Sequence, residues 1–153
     1  MIQFTYQVQG IPDYRAASAR LIRLFRDTLQ EVERKGRRQR PLARALAAEI
    51  RNNFSRRTDP QTTRRWADLK KGGPATLIKT GRLLQNVRTA RPWRVEQNKL
   101  TFTLPKTVAY GANHQRGNPS RNLPRRGFLP NERQVQSHMQ RILTREVFRR
   151  WDG

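Results

Sequence analysis

The chain has no cysteine among its 153 residues, which excludes disulfide bonds and thiolate metal sites. Acidic residues are also scarce, since 11 Asp and Glu stand against 33 Lys and Arg, giving a formal net charge of +22. Such a charge opposes compaction and favours polyanions or acidic protein surfaces as partners. The sequence lacks both a membrane-length apolar run and a signal-peptide pattern, so we expect a cytoplasmic origin and no membrane partner.

The sequence also lacks the residue groupings that catalysis needs. Its two histidines, His114 and His138, have no ligand at helical spacing, which argues against a metal site. There is no Gly-x-Ser-x-Gly elbow, no phosphate-binding glycine loop and no carboxylate cluster for magnesium. The nearest carboxylate set, Asp13 and Glu96 with Lys99, has the wrong spacing for a nuclease. We therefore expect no enzyme activity, no cofactor and no small-molecule ligand.

The length and the apolar patterns predict one α+β domain spanning residues 1–153. Apolar residues alternate with polar ones from Ile2 to Val8, which predicts an N-terminal strand. Spacings of three and four predict a first helix over 13–34. Pro41 then begins a second helix, and the short basic connection predicts an antiparallel helix pair. The apolar face of the second helix consists of Leu42, Leu46, Ile50 and Phe54.

The middle of the chain is more basic and less regular. We interpret 55–73 as a loop anchored on the core by Trp66 and Leu69; an aromatic among basic residues is also typical of a nucleic-acid surface. Thr80 is a candidate N-cap for a short helix. The apolar face of that helix would consist of Leu83, Leu84 and Val87.

A small antiparallel sheet and a terminal helix complete the prediction. Alternation around Trp93 and from Leu100 to Leu104 predicts a hairpin with its turn at 97–99, and a further short strand is expected over 107–110. Asn131 and Gln134 have the spacing of a capping box. The apolar face of the terminal helix would consist of Val135, Met139, Ile142, Leu143 and Val147.

Residues 108–130 combine turn formers, arginines and a histidine. Glycines and prolines throughout this stretch argue against a continuous helix or a central strand. A loop of this length in a compact domain usually has a binding or assembly role. We therefore interpret 108–130 as an extended assembly loop. Within it, we expect 118–123 to become ordered only against a neighbouring subunit.

Four short pieces, in this order, resemble the phage virion morphogenesis or tail completion family. They are Trp66-x-x-Leu69, Leu77-x-Lys79-Thr80-Gly81-x-Leu83, Tyr110-Gly111-x-x-His114-Gln115-x-Gly117 and Pro124-Arg125-Arg126-x-Phe128-Leu129. Each piece is short, but together they span the central and C-terminal two thirds of the chain. Two glycines depart from the family pattern, since Gly111 stands where alanine is more usual and Gly127 precedes Phe128.

The resemblance implies a non-enzymatic virion protein that completes the head-proximal end of a phage tail and joins the tail to the head. Its implied partners are its own subunits in a ring, expected to be a hexamer, together with the tail tube and the neck or connector proteins. DNA would pass through the ring and contact it without sequence recognition. The implied location is the tail or neck of the virion, assembled in the host cytoplasm.

Two sets of site residues follow from this interpretation. The candidates for assembly contacts are Tyr110, His114, Gln115, Arg121, Arg125, Arg126, Phe128 and Leu129. The candidates to face DNA are Arg34, Lys35, Arg37, Arg38, Arg40, Arg56, Arg57, Arg64 and Arg65.

Two accounts of the assembly candidates remain open. In one, Phe128 and Leu129 dock on the core while Arg125 and Arg126 reach a neighbouring subunit. In the other, the arginines belong to a solvated loop and His114 is a hydrogen-bonded turn residue.

A different function also agrees with the charge. A small basic nucleic-acid-binding module, ribosomal-like or nucleoid-like and without a virion role, would explain +22 equally well. It leaves the Thr80-Gly81 and His114-Gln115 pieces unexplained. An enzyme is the third alternative, and it would require the histidine or the isolated carboxylates to act in catalysis.

Overall fold

A computed structural model describes residues 2–7, 27–28, 40–73, 77, 80–96 and 99–151. The fold is α+β, as predicted, with a small antiparallel sheet and helices. Several predictions lie outside the described residues: the first helix over 13–34 apart from 27–28, its pairing with the second helix, and residues 97–98 of the hairpin turn expected at 97–99. Within the described residues, no helix has the length and apolar character needed to cross a bilayer.

Three antiparallel strands form the sheet: β1 (Ile2–Gln7), β2 (Trp93–Glu96) and β3 (Lys99–Leu104). The order is β1-β3-β2, so the predicted hairpin is confirmed and the N-terminal strand pairs with its second strand. Phe102 lies opposite Phe4 on one side and Trp93 on the other. The rings of Trp93 and Phe102, both fully buried, are 4.8 Å apart, so this aromatic pair joins the sheet to the core.

The second predicted helix is confirmed as α1 (Pro41–Arg56), with proline in its first turn. Leu42, Leu46, Ile50 and Phe54 are buried, as their spacing predicts. The helix ends at Arg57, which adopts a left-handed conformation and donates its N–H to the carbonyls of Asn53 and Phe54.

The short helix α2 (Arg82–Val87) is present and buries Leu83 and Val87. Its N-cap is Gly81, at φ 68°, and no side chain caps the helix, so the prediction that Thr80 is the N-cap is wrong. A positive φ at the cap favours glycine, which has no Cβ to clash with the backbone.

The predicted strand over 107–110 is wrong. Pro105 follows β3, and a 3₁₀ helix, Lys106–Val108, takes the place of the strand. The proline has no N–H for the sheet ladder, and β3 already has a neighbour on each side. Val108 is instead fully buried in the core.

Residues 108–130 contain more regular structure than a loop. They include the helix α3 (Gly111–Arg116) and a 3₁₀ turn, Pro119–Arg121. Asn118 and Leu123 bridge each other through two main-chain hydrogen bonds of 2.9 Å. The expectation that 118–123 needs a neighbouring subunit to become ordered is therefore wrong, because local hydrogen bonds close this turn. Hereafter we refer to 108–130 as the assembly segment.

The terminal helix is α4 (Glu132–Trp151). The predicted capping box is confirmed, because Asn131 Oδ1 accepts the N–H of Gln134 at 2.8 Å and Gln134 Oε1 accepts the N–H of Asn131 at 3.0 Å. Val135, Met139, Ile142 and Leu143 are buried, whereas the side chain of Val147 lies outside the described part.

Helix α4 packs on α1 through polar as well as apolar contacts. Glu49 Oε1 lies 2.9 Å from His138 Nε2, and Gln134 Nε2 donates to Glu49 Oε2 at 3.4 Å. The carboxylate of Glu49 is thus directed towards α4. This orientation leaves the opposite face of α1 to its basic residues.

The prediction that two side chains anchor 55–73 is half right. Trp66 is 3% exposed and packs edge-on against Phe54, with ring centroids 5.4 Å apart. Leu69, in contrast, is 49% exposed. The anchor is therefore Trp66 alone.

Replacing Asn131 by Ala should lower the free energy of unfolding. The substitution removes the cap of α4 and also the 2.7 Å bond from Asn131 Nδ2 to the carbonyl of Pro60. Loss of an N-cap costs about 0.5–2 kcal/mol, and we expect the upper part of that range in urea denaturation. Gln140→Ala, at an exposed position of the same helix, is the matched control. Equal stability of the two variants would contradict the capping role.

Candidate assembly site

The end of the assembly segment, residues 124–130, crosses the core as an extended strap. Phe128 and Leu129 are 0% and 1% exposed, so they dock on the core as one of the two accounts predicted. The ring of Phe128 lies 5.5 Å from that of Phe54, which in turn contacts Trp66. The strap is therefore part of the hydrophobic core.

Side chains from other elements satisfy the backbone of the strap. Gln115 Oε1 accepts the N–H groups of Phe128 at 2.8 Å and of Leu129 at 3.0 Å. Asn53 Nδ2 donates to the carbonyl of Phe128 at 3.0 Å, and Trp66 Nε1 donates to that of Gly127 at 2.9 Å. Buried peptide groups outside regular structure need such partners, so these side chains hold the strap in place.

Asp59 binds the strap through charge. Arg125 Nε donates to its Oδ2 at 2.6 Å, the Gly127 N–H donates to the same oxygen at 3.2 Å, and the Gln61 N–H donates to Oδ1 at 2.9 Å. Burial alone would raise the pKa of the Asp59 carboxyl, but the hydrogen bonds and the charge of Arg125 outweigh it, and the pKa lies below its ordinary value. The carboxylate is therefore stabilised in its ionised form.

Gly111 and Gly127 both lie close to other parts of the chain. A Cβ at Gly127 would lie 2.6 Å from Asp59 Oδ1, so no other residue fits while the carboxylate keeps its position. A Cβ at Gly111 would lie 2.7 Å from Leu83 Cδ1, the end of a side chain in the contact between α3 and α2. Close packing therefore requires glycine at 127, whereas a larger residue at 111 would require Leu83 to shift.

Arg126 is 4% exposed and bonded to its own chain. Its Nε and Nη2 donate to the carbonyls of Ala67 at 3.0 Å and Asp68 at 3.1 Å, and its main-chain N–H donates to the carbonyl of His114 at 2.7 Å. The expectation that Arg126 reaches a neighbouring subunit, and the alternative that it belongs to a solvated loop, are both wrong for this residue. The guanidinium binds the carbonyls of the two residues that follow Trp66.

His114 binds the strap through its main-chain carbonyl, which accepts the N–H of Arg126. The ring nitrogen Nδ1 is buried, with no hydrogen-bond partner within the described part of the chain. Burial, followed by the positive charge of Arg126, lowers the pKa of His114 below its ordinary value. The expectation of a hydrogen-bonded turn histidine therefore applies only to its carbonyl.

Three assembly candidates are exposed. Tyr110 is 44% exposed, with its ring edge-on to His114 at 6.3 Å, and Arg121 is exposed on the 3₁₀ turn. The side chain of Arg125 is 37% exposed, but it bonds to Asp59 of its own chain. The assembly candidates thus divide into an inward set, which fixes the strap, and an outward set of Tyr110 and Arg121.

The candidates to face DNA include exposed residues, partly buried residues and residues outside the described part of the chain. Arg56, Arg64 and Arg65 are exposed, and Arg57 is half-buried. Arg40 is partly buried and donates a hydrogen bond to the carbonyl of Trp93. The remaining candidates, Arg34, Lys35, Arg37 and Arg38, lie outside the described residues.

The sequence interpretation missed two of the residues that hold the strap, Asn53 and Asp59. A signal existed for each. Asn53 lies seven positions after Leu46, on the apolar face of α1, where a polar side chain must find a buried partner. The Asp59-Pro60 pair is typical of a turn, which would have divided 55–73 at this point.

A shallow groove of about 690 Å³ lies beside β1. Phe4 and Tyr6 line one side, and Gln115 and Arg116 are among the residues of the other. The guanidinium of Arg116 lies 5.1 Å above the ring of Phe4. No cluster of three or more His, Asp or Glu side chains suited to a metal ion occurs in the described ranges.

The chain matches no protein-family model, no curated protein and no solved structure. The resemblance therefore depends on the four short pieces, and the fold brings residues of all four into contact. Trp66 bonds to Gly127, Gln115 bonds to Phe128, and Gly111 packs on Leu83. These residues, separated along the chain, form one connected network.

Replacing Asp59 by Asn should destabilise the fold in a pH-dependent way. Because the folded pKa of Asp59 is depressed, its contribution is complete above the unfolded pKa, near 4, and is lost as the pH falls through the folded value. Removing one partner of a buried pair costs about 3–5 kcal/mol, and partial exposure of Arg125 places the expected loss at the lower end.

The measurement is urea denaturation of both proteins from pH 7 to pH 3. The difference in the free energy of unfolding should be largest at neutral pH and should shrink below about pH 4. Asp27→Asn, at an exposed carboxyl, is the control and should change little. A difference that stays constant with pH would show that ionised Asp59 does not stabilise the strap.

Replacing Phe128 by Ala should cost about 3–5 kcal/mol of unfolding free energy, because the ring is fully buried against Phe54. Tyr110→Ala removes an aromatic ring from the exposed part of the same segment and should change stability by less than about 0.5 kcal/mol. Both values come from urea denaturation monitored by circular dichroism. A small loss for Phe128→Ala would contradict the packing of the strap in the core.

Proposed function

We propose that this protein is a structural component of a tailed-phage virion, which completes the head-proximal end of the tail and joins it to the head. The observation that carries the proposal is the connected network formed by the four pieces that resemble the tail completion family. Trp66, Gln115 and Phe128 lie in three of these pieces, and they meet around a single strap. A common structural role would explain why pieces so far apart in the chain occur together.

The shape of the assembly segment supports a role in subunit contact. Its inward residues bind it to the core. The 3₁₀ turn that carries Arg121 is closed by main-chain hydrogen bonds in the single chain, and Tyr110 is exposed at the start of α3. A preorganised surface avoids part of the entropy cost of association. Tyrosine and arginine are also enriched at protein interfaces. We propose that this outward surface contacts neighbouring subunits in a closed ring, expected to be a hexamer.

The charge supports the remaining partners. Three acidic residues of the described region are engaged within the chain, since Glu49 contacts His138, Asp59 pairs with Arg125 and Glu146 pairs with Arg149. Most of the described arginines are exposed, where external partners can reach them. We propose acidic surfaces of tail-tube and neck proteins, and DNA in the ring lumen bound without sequence recognition. The proposed role requires no catalysis and no cofactor.

The test is whether the purified chain forms a closed ring, alone or on tail tubes. We expect rings in negative-stain electron micrographs and one oligomer mass by light scattering. Strict monomers that never decorate tail ends would overturn the proposal. If such monomers bind nucleic acid at moderate ionic strength, the alternative of a free nucleic-acid-binding module would replace it.

Replacing Tyr110 and Arg121 together by Ser should prevent ring formation without changing stability. The matched control replaces Leu69 and Arg65 by Ser, because these are also an exposed large side chain and an exposed arginine, outside the assembly segment. Light scattering gives the oligomer mass, and urea denaturation shows that both variants are folded. Rings formed equally by both variants would exclude the segment as the subunit interface.

A further inference from the structure

A basic surface, to which the described residues contribute no acidic side chain, lies where α1 meets the chain after α2. Four arginines on it are exposed, Arg44 and Arg51 on α1 and Arg88 and Arg91 after α2. None of them is among the DNA-facing candidates of the sequence interpretation. We refer to these four residues as the arginine surface.

Two contacts place these residues on adjoining elements. Arg51 Nη1 donates to the carbonyl of Arg88 at a long 3.4 Å, and Arg40, at the start of α1, donates to the carbonyl of Trp93. Residues 88–93 therefore run alongside α1 in the opposite direction. Arg44 and Arg51 are seven positions apart, so they lie on the same side of the helix, separated by about 10 Å along its axis.

The described residues do not neutralise this surface. The chain has no Asp or Glu between Asp68 and Glu96, and the carboxylate of Glu49, the acidic residue of α1, contacts His138 on α4. Within the described part of the chain, none of the four arginines forms a salt bridge. Their charges therefore remain available to an external anion.

The composition of the arginine surface selects the kind of anion. The large apolar side chains that are exposed in the described ranges are Leu69 and Tyr110, and neither belongs to it. Single-stranded nucleic acid favours aromatic side chains that stack on bases, and membrane binding and protein hot spots favour exposed apolar or aromatic anchors. Guanidinium groups without such anchors suit the regularly spaced phosphates of a double helix.

We infer that the arginine surface binds the phosphate backbone of double-stranded DNA without sequence recognition. The inference deepens the proposed function and rests on it for the origin of the DNA, namely the genome that passes through the ring. The inference assigns the DNA contact to four named arginines and not to the positive charge of the chain as a whole. Binding itself requires only the folded chain, so it is measurable separately from assembly.

The test compares two variants that each lose four positive charges. One carries Arg44→Gln, Arg51→Gln, Arg88→Gln and Arg91→Gln. The control carries Lys106→Gln, Arg133→Gln, Arg141→Gln and Arg145→Gln, which are exposed basic residues elsewhere and are not among the DNA-facing candidates. Fluorescence anisotropy of a labelled mixed-sequence duplex of about 30 base pairs is measured between 50 and 200 mM NaCl, the range over which phosphate contacts lose affinity.

Each phosphate contact contributes about 0.9 to the slope of log K against log salt, so the first variant should have a slope shallower by about 3–4 and the control by less than about 1. The corresponding Arg→Lys variant should retain most of the slope, because it keeps the charges. An equal reduction of the salt slope in both Gln variants, or an unchanged slope in the first, would overturn the inference. Tighter binding to single-stranded DNA or to phosphatidylserine vesicles would also overturn it.

Electron microscopy of the same preparations separates this inference from the proposed function. Rings formed by the first Gln variant, together with its shallower salt slope, would support the arginine surface as a DNA contact distinct from the assembly contact. Wild-type protein that binds duplex DNA through these arginines but never forms rings would support the surface and reject the ring. Rings formed by the wild-type protein, together with an unchanged salt slope in the first Gln variant, would support the ring and reject the arginine surface.

Discussion

The structure depends on how the extended strap of 124–130 satisfies its buried peptide groups. The strap belongs to no sheet, so its N–H and carbonyl groups bond to side chains of Asn53, Asp59, Trp66 and Gln115. An unpaired buried peptide group costs about 1–3 kcal/mol, so several such bonds decide whether the strap stays in the core. Because they come from distant parts of the chain, they also join the assembly segment, α1 and the loop after it into one unit.

The same network determines how the charge is distributed. A chain with 11 acidic and 33 basic residues has few carboxylates to balance its arginines, and Asp59 and Glu49 are used in internal contacts. The two arginines of the strap also bond within the chain, Arg126 to main-chain carbonyls and Arg125 to the carboxylate of Asp59. Most other described arginines lie at the surface. An assembly protein that contacts DNA and acidic neighbours would need this separation between internal pairs and external charge.

Sequence patterns predicted the elements whose burial follows a single period. The spacing of α1 and α4, the alternation of β3 and the Asn131–Gln134 capping box are local properties, and the structure confirms them. Prediction was wrong where a neighbour decides the conformation. The expected strand over 107–110 is a 3₁₀ helix after Pro105 that places Val108 in the core, and Gly81 occupies the capping position expected of Thr80.

For the candidate site, the sequence by itself determined which segments form it, namely the pieces around Trp66, His114-Gln115 and 124–129. It also determined the excess of arginine over acidic residues. It could not determine which way each side chain points. Tertiary structure alone decided that Arg126 and Phe128 lie inside while Tyr110 stays outside. The physical reason is that burial of a polar side chain depends on partners far away in sequence, as the carbonyls of Ala67 and Asp68 show for the guanidinium of Arg126.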